Sequence, residues 1–598
     1  MVASVVNNQT AVQINLKRVI NKCFGGIACS VSESGRNQQP LLLLSYLTLL
    51  CIPLLLFTFR SLDDNRLVSW YWIFSQPQLS QYQFFSMLAV LSVALVLLFI
   101  IANTQWRITV NVVSLTVVSF LISIPFWQTP EIIIDNARYF TQAKYVELFG
   151  VGYFFREWGQ SIFAWTDLPL LPLIYGLAFK FLGEHRAVIQ VLNSVFFAGT
   201  VAVTYMLGKV LWGPNHGAAA ATLLLGIPYL YSQIPLMMVD IPTMFFLTLA
   251  VLASLLAVKQ GGCGHIVFAA MAIVVALFTK YSAWIFLSVI PFAVFAQPQP
   301  AWRKSFTRLF KIGFAIAILM SLVLYWYYPV LVEQFHTLLN YQWGALDRWQ
   351  ESYVSTFLFH VHPLISMAAF VALLIALKHR DKKFLIVSWM LILVILLDIQ
   401  RIRYAMVVFP MLALMAGYSV AKISNLPLKK LLMGGVVLTS YGIAWSMSTG
   451  FLQNTSAGNL KSAGTYLDTL DVEFVGVLVL PQLRSIVNPK IAIAALDYHT
   501  NKTLVYVDGY PPSRSGAVSN ISKSPVRFTW EYPIPPYYHN TKKADRSQAA
   551  MAVIYSDNEQ VESSGLQSWL VDYRLIKRFQ AQTGVFKYKT LINLYVPG

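Results

Sequence analysis

From about residue 41 to residue 450 the chain is one apolar run after another, each near the length that crosses about 30 Å of hydrocarbon. We place spans near 41–59, 84–102, 108–126, 187–211, 217–236, 241–258, 265–280, 282–297, 312–328, 363–378, 384–400, 404–421 and 431–450. A backbone in lipid has to satisfy its own polar groups, which leaves helices and closed barrels, and runs this long are helices. The chain is therefore expected to be a polytopic all-α membrane protein with about thirteen transmembrane helices. Composition agrees, since 57% of its 598 residues are hydrophobic and 12% are charged, where soluble domains carry about 25% charged residues. A net charge of +18 would suggest nucleic acid for a soluble chain. Here much of the Lys and Arg excess lies in short loops that orient helices, so no nucleic-acid partner is expected.

The positive-inside rule tests the parity of this threading. Residues 1–40, with Lys17, Arg18, Lys22 and Arg36, read as a cytoplasmic segment. The first run, at Leu41, starts too late for an ordinary cleaved signal, so the first helix is expected to be retained. The basic loops Trp302–Lys311, Lys378–Lys383 and Lys422–Lys430 then share the cytoplasmic side. The opposite face receives 127–186, Asp240, Lys280, 329–362, Arg401–Tyr404 and everything after 450. Segment 127–186 mixes aromatic and charged residues in a way that suits helices lying in the headgroup layer, and its run Leu168–Lys180 is apolar but short. Residues 451–598 alternate short β-rich runs (Phe474–Leu480, Thr503–Asp508, Ala552–Tyr555) with turns such as Pro511–Gly516 and Tyr532–Tyr538, which predicts a small α/β or mixed domain outside the membrane. The cysteines are Cys23, Cys29, Cys51 and Cys263, so that domain has no intrachain disulfide of its own. Cys23 and Cys29 lack zinc-finger spacing.

Ionisable residues collect on the outer face. Asp135, in Glu131-Ile-Ile-Ile-Asp135-Asn-Ala-Arg138, follows the third span. A carboxylate at the mouth of a membrane bundle reads as functional by default. It would equally suit a hydrated loop acid paired with Arg138 three residues on. Asp167 stands in Trp165-Thr-Asp167-Leu-Pro169 and Asp240 before Ile241-Pro242, where either suits a helix N-cap. Lys280, Arg401 and Arg403 would suit interfacial snorkelling, but cations on this side run against the positive-inside bias. His336, His360 and His362 lie without a spaced carboxylate partner, and Arg348 is the one Arg of the 329–362 loop. Asp135 with Asp240 or Asp167 has the chemistry to hold a divalent cation, at distances the sequence does not give. The sequons at Asn8, Asn454, Asn501 and Asn520 are short enough to arise by chance.

In these features the chain resembles the GT-C superfamily of lipid-linked-sugar glycosyltransferases, and within it the branch of protein O-mannosyltransferases and bacterial aminoarabinose transferases acting on lipid A. The residues that carry the resemblance are Asp135, Pro172-Leu-Ile-Tyr175, Asp240-Ile-Pro242, Lys280 and Arg403-Tyr404, over roughly 127–421. Two features depart from the branch: Asn136 stands where a second acid often follows the first, and the acidic loop follows the third span rather than the first. The resemblance implies an inverting transfer of a sugar from a polyprenyl phosphate to a lipid, glycan or protein acceptor, at the outer face of the cell (inner) membrane. Such a reaction needs a carboxylate to take the acceptor's proton and cations where charge develops on the leaving phosphate. Asp135 is the expected base and Lys280 and Arg403 the expected phosphate ligands. Arg138 and Arg401 are further candidates, Tyr404 would orient an oxygen, and Asp240 or Asp167 would be a second acid or structural. A divalent ion, used by some superfamily members, stays open. Two other readings are a glycan polymerase or ligase using a polyprenyl-diphosphate donor, and a lipid or solute transporter. The latter predicts ionisable sites near the midplane and paired halves, neither of which is evident.

Overall fold

The computed structural model describes residues 39–75, 81–104, 110–298, 301–342, 351–481, 487–507, 532–539, 549–558, 566–567, 570–582 and 588–598. The N-terminal basic stretch, Cys23, Cys29, Arg348, Pro511–Gly516 and the sequons at Asn8 and Asn520 lie outside them. Among the described residues seven helices are long and apolar enough to cross a membrane: Gln39–Thr58, Gln81–Asn103, Arg186–Trp212, Asp240–Gln260, Trp302–Asn340, Ile402–Val420 and Leu426–Gln453. The protein is a polytopic helical membrane protein, but the expected count of about thirteen is not met. Five of the remaining predicted spans fold as apolar helical segments of 17 residues or fewer: Val112–Gln128, Cys263–Leu277, Tyr281–Ala296, Pro363–His379 and Phe384–Leu396. At about 1.5 Å per residue such helices fall short of about 30 Å.

Local chemistry explains the shortening. Proline breaks the regular hydrogen-bond ladder, and the segments holding Pro125 and Pro291 wind as tighter turns over Ile124–Gln128 and Leu287–Ala296. The predicted span 217–236 is two helices, Pro214–Leu224 and Pro228–Gln233, parted by a turn before Pro228. The predicted basic loop Trp302–Lys311 is not a loop. It forms the start of the helix Trp302–Thr337.

The helices pack closely where glycine allows it. A Cβ on Gly208 would lie 2.8 Å from Gly217 Cα, and one on Gly417 would lie 2.6 Å from Ala220 N. The basic segments meet at one end of the bundle. Trp212 Nε1 donates to Asp381 Oδ2 at 3.0 Å, Lys383 Nζ to Leu211 O at 2.9 Å and Arg308 Nη1 to Val258 O at 2.7 Å. The other end gathers the 60–75 loop, the helices Asp135–Glu157 and Leu170–Leu182, segment 351–362, Arg401–Tyr404 and the C-terminal region.

That region is built on a five-stranded sheet in the order β2-β1-β3-β5-β4, with β1 Phe474–Val479, β2 Thr503–Tyr506, β3 Ala550–Tyr555, β4 Tyr573–Phe579 and β5 Leu591–Pro597. β1 pairs in parallel with β2 and β3, and β5 pairs antiparallel with β3 and β4. The parallel β1–β2 pair needs a crossover, and the short helix Ala492–Asp497 lies in it. Three strands fall where the sequence places them. β4 and the apolar β5 are not among the expected runs; β4 carries Arg574, Lys577 and Arg578, the charge expected of an edge strand rather than an apolar run.

Candidate functional site

Asp135 opens the helix Asp135–Glu157 and Asp240 opens Asp240–Gln260, so both acids lie where a helix N-terminus favours negative charge. Their relative position is set before either helix begins. Glu131 accepts from Arg186 Nε at 3.1 Å with one oxygen and from Met237 N at 3.1 Å with the other. Asn193 Nδ2 donates to Leu236 O at 2.6 Å and Tyr175 Oη to Met238 O at 2.7 Å. The segment leading into Asp240 is thus held from three sides.

From there a run of ion pairs crosses the site with alternating sign. Lys280 Nζ lies 2.6 Å from Asp240 Oδ1, and Arg403 places Nε 2.9 Å from Asp240 Oδ2 and Nη1 2.8 Å from Asp135 Oδ2. Arg138 Nη1 lies 3.5 Å from the other Asp135 oxygen, and its Nε and Nη2 lie 2.5 Å and 2.9 Å from the two Asp167 oxygens. Gln142 Nε2 donates to Asp167 Oδ2 at 3.1 Å. Gln334, at the far end of the long helix, donates to Asp167 O at 2.8 Å and accepts from Tyr281 Oη at 2.6 Å. Tyr404 sits beside the run, with Lys280 Nζ 4.7 Å from its ring centroid and Arg401 Nη1 3.3 Å from its hydroxyl.

Exposure separates these groups. The side chains of Asp240 and Asp167 are 1% and 5% exposed and that of Asp135 is 23%; among the cations Arg403 is at 4% and Lys280 at 18%. Asp135, Lys280, Arg401 and Tyr404 are therefore the partly exposed members of the cluster, and Arg403, Arg138, Asp240 and Asp167 the buried ones. Burial works against the charged form of Asp135. Arg138 and Arg403 outweigh it and hold the carboxyl well below the usual carboxylate range.

The structure brings together all eight residues that the sequence proposes for the site, and it corrects some of their expected partners. Val239, not Asp240, is the N-cap of its helix, and the Asp240 carboxylate goes to Lys280 and Arg403 instead. Pro169 occupies the N-cap before Leu170–Leu182, and Asp167 is turned to Arg138. Arg403 and Lys280 are paired with acids rather than snorkelling to the surface. The Asp135–Arg138 helix pair is present alongside the longer run. Guanidinium groups separate the three acids, and no group of three or more His, Cys, Asp and Glu suited to a metal occurs among the described residues. His360 Nε2 lies 3.1 Å from Asp63 Oδ1, His362 Nε2 lies 2.9 Å from Thr439 Oγ1, and His336 is exposed.

Sequence reasoning did not find Gln142, Gln334, Tyr281 or Asn193. Gln334 is polar near the end of an apolar run, the one signal that marked it. The acidic pair Asp63-Asp64 stands after the first helix, where the resemblance would look for its acids. It binds Ser352, Ser355 and His360 instead, and takes no part in the ion-pair run.

Comparison with known proteins locates this architecture. A profile of the dolichyl-phosphate-mannose-protein mannosyltransferase family matches residues 167–326, which hold Asp167, Asp240 and Lys280. The apo crystal structure of ArnT from Cupriavidus metallidurans is similar at 13% identity over 81% of this chain and 97% of that one, with a TM-score of 0.50. The protein has the GT-C fold. Below that level of likeness stand ArnT from the same organism bound to undecaprenyl phosphate (13% identity, 81% and 97% covered, TM-score 0.49) and the Archaeoglobus fulgidus oligosaccharyltransferase in complex with zinc and sulfate (13%, 79% and 72%, 0.40). No curated protein sequence matches the chain. Within this GT-C fold, the family profile stops short of Asp135 on one side and of Arg401, Arg403 and Tyr404 on the other. For these residues the ion-pair geometry stands on its own.

Proposed function

We propose that this protein is an inverting glycosyltransferase that moves a sugar from a polyprenyl phosphate to a hydroxyl of a lipid, glycan or protein acceptor. The observation that carries the reading is the one partly open carboxylate of the three in the ion-pair run, Asp135, set against buried Arg403 and partly open Lys280. In this reading the donor phosphate enters beside Lys280, Arg401 and Tyr404. Arg403 swings its Nη1 from Asp135 to the phosphate while Asp240 keeps hold of its Nε. The acceptor oxygen attacks the anomeric carbon from the face opposite the phosphate and Asp135 takes its proton. The bond from that carbon to the phosphate oxygen breaks, and the polyprenyl phosphate leaves with its charge on Lys280 and Arg403. Loss of Arg403 from Asp135 raises the basicity of the carboxylate when the donor is in place.

The name of the matching family carries a dolichyl-phosphate sugar donor, which supports this donor class. A divalent ion shared by Asp135 with Asp240 or Asp167 would have to displace Arg403 or Arg138 from between them. In this reading residues 1–40 are cytoplasmic, 41–450 form the transferase unit of a cell (inner) membrane protein, and 451–598 are extracytoplasmic with the site. The test is transfer from a panel of radiolabelled polyprenyl-phosphate sugars by purified wild type and Asp135→Asn, with and without chelator. Turnover is expected to fall by about 10³-fold in the variant, with polyprenyl-phosphate binding retained. Near-normal turnover in Asp135→Asn would sink the assignment.

A further inference from the structure

We infer that Glu351 is a positioning residue for the cations of this site: its carboxylate holds the Arg401–Arg403 turn and ties it to the loop after the first helix. The inference rests on the reading of Arg403 as a phosphate ligand and adds to it a residue that touches no substrate.

Ile402 is the first residue of its helix, flanked by the two site arginines, and its N-cap Arg401 offers no side-chain cap. A helix start leaves N–H groups unsatisfied, and here the partner comes from elsewhere. Glu351 Oε2 accepts from Ile402 N at 3.1 Å. The same oxygen accepts from Asn65 Nδ2 at 3.3 Å, and Oε1 accepts from Arg66 N at 3.4 Å. Glu351 is 3% exposed, so its charge carries a desolvation cost that an apolar filler would not.

The loop that carries both groups is itself held in place. Asp63 accepts from Trp70 N at 2.7 Å and Ser355 Oγ at 2.6 Å, and Asp64 from Ser352 N at 2.9 Å. Asn65 Oδ1 accepts from Leu67 N and Val68 N, each at 2.9 Å. A rigid loop thus sets the height and rotation of the turn on which Arg403 must reach Asp135 and Asp240 together. The loop between the first two long helices acquires a role through this contact.

The test uses full-length protein in nanodiscs and polyprenyl phosphate without sugar as the probe. Glu351→Ala is expected to weaken binding about 10-fold. Glu351→Gln, which keeps an acceptor for Ile402 N, should lose about 3-fold or less. Asn65→Ala, which removes one anchor and leaves Glu351 in place, should fall between wild type and Glu351→Ala. In an Arg403→Ala background Glu351→Ala should have no further effect on binding, because the carboxylate acts through that arginine. Full additivity would mean a general structural role and would overturn the inference. Hydrogen exchange at residues 402–404 is the second readout: it should quicken in Glu351→Ala and Asn65→Ala while 426–443 is unchanged, and unaltered exchange would also overturn it. Wild type that binds no polyprenyl phosphate would remove the donor assignment alone, since the exchange data would still decide whether Glu351 holds the turn.

Discussion

At the basic end of the bundle Arg303, Lys304, Lys378, Arg380 and Lys382 are exposed, and Lys382 Nζ lies 5.0 Å from the Trp302 ring centroid. At the other end Arg138 and Arg403 are 4% exposed and each is shared between two carboxylates. The first set needs only a side of the membrane, and position along the chain hardly matters to it. The second set needs ångström-level placement, because a buried charge without its partner costs several kcal/mol. Charge count therefore says little about function in such a chain, whereas the partners of each charge say a great deal.

Four substitutions would break or sharpen this contrast. The largest effect is expected from Arg403→Ala, which leaves Asp240 and Asp135 short of a partner. It should destabilise the protein by about 3–5 kcal/mol, read by thermal unfolding in detergent, and should weaken donor binding by about 30-fold, leaving it measurable. A loss below about 1 kcal/mol would place the site with the surface set.

Next comes the contact between the C-terminal region and the Asp135–Glu157 helix, where Lys144 Nζ lies 2.5 Å from Asp497 Oδ2 and Tyr538 Oη donates to the same oxygen at 2.6 Å. Burial pushes the Asp497 carboxyl up to about 6, with Lys144 pulling it back. A folded-state value above the unfolded one means that the folded state takes up the proton more readily. The contribution to stability is full below the unfolded value of about 3.9 and is lost as pH rises through about 6. Stability should thus fall by on the order of 1 kcal/mol per pH unit between about pH 4 and 6, and Asp497→Asn should flatten that slope. An unchanged slope in the variant would assign it to another group.

A smaller effect belongs to Asn425, which caps the helix Leu426–Ile443 by accepting from Leu428 N at 3.0 Å. Asn425→Ala should cost about 1 kcal/mol in the same unfolding assay. The smallest is Lys382→Ala at the exposed end, expected within about 0.5 kcal/mol of wild type. A larger loss there would show that the basic end is also built on fixed partners.

Much of the fold is legible in the sequence because apolar length and charge bias act locally. The spans at 41–59, 84–102 and 241–258 fall close to their helices for that reason. What failed is the assumption that each run is one straight helix, since Pro228 and Pro291 divide or tighten their segments at no visible change in hydropathy. The charged residues of the site stood out because apolar surroundings make them rare. Gln142, Gln334 and Glu351 did not, since two are uncharged and the third sits in a loop, and their roles arise only when distant segments meet. Asp135 and Arg403 lie 268 residues apart, and no local pattern joins them. The same holds for Asp63-Asp64, which reach Ser352, Ser355 and His360, 288 to 297 residues on, and serve as a brace in the fold.

The six-member run from Lys280 to Asp167 has a consequence for how this sequence can drift. Three cations and three acids alternate, and the four inner members each touch two neighbours. Replacing Arg138 takes from buried Asp167 its cation in the run, and replacing Arg403 takes one of two from buried Asp240; either costs about 3–5 kcal/mol, from a total stability of about 5–15 kcal/mol. A lineage can then alter either arginine only by paired steps, with the first step passing through a weakened protein. Invariance of the two arginines among relatives would follow from folding alone, so it would not assign them to the phosphate; turnover in Asp135→Asn is the reading that identifies the base.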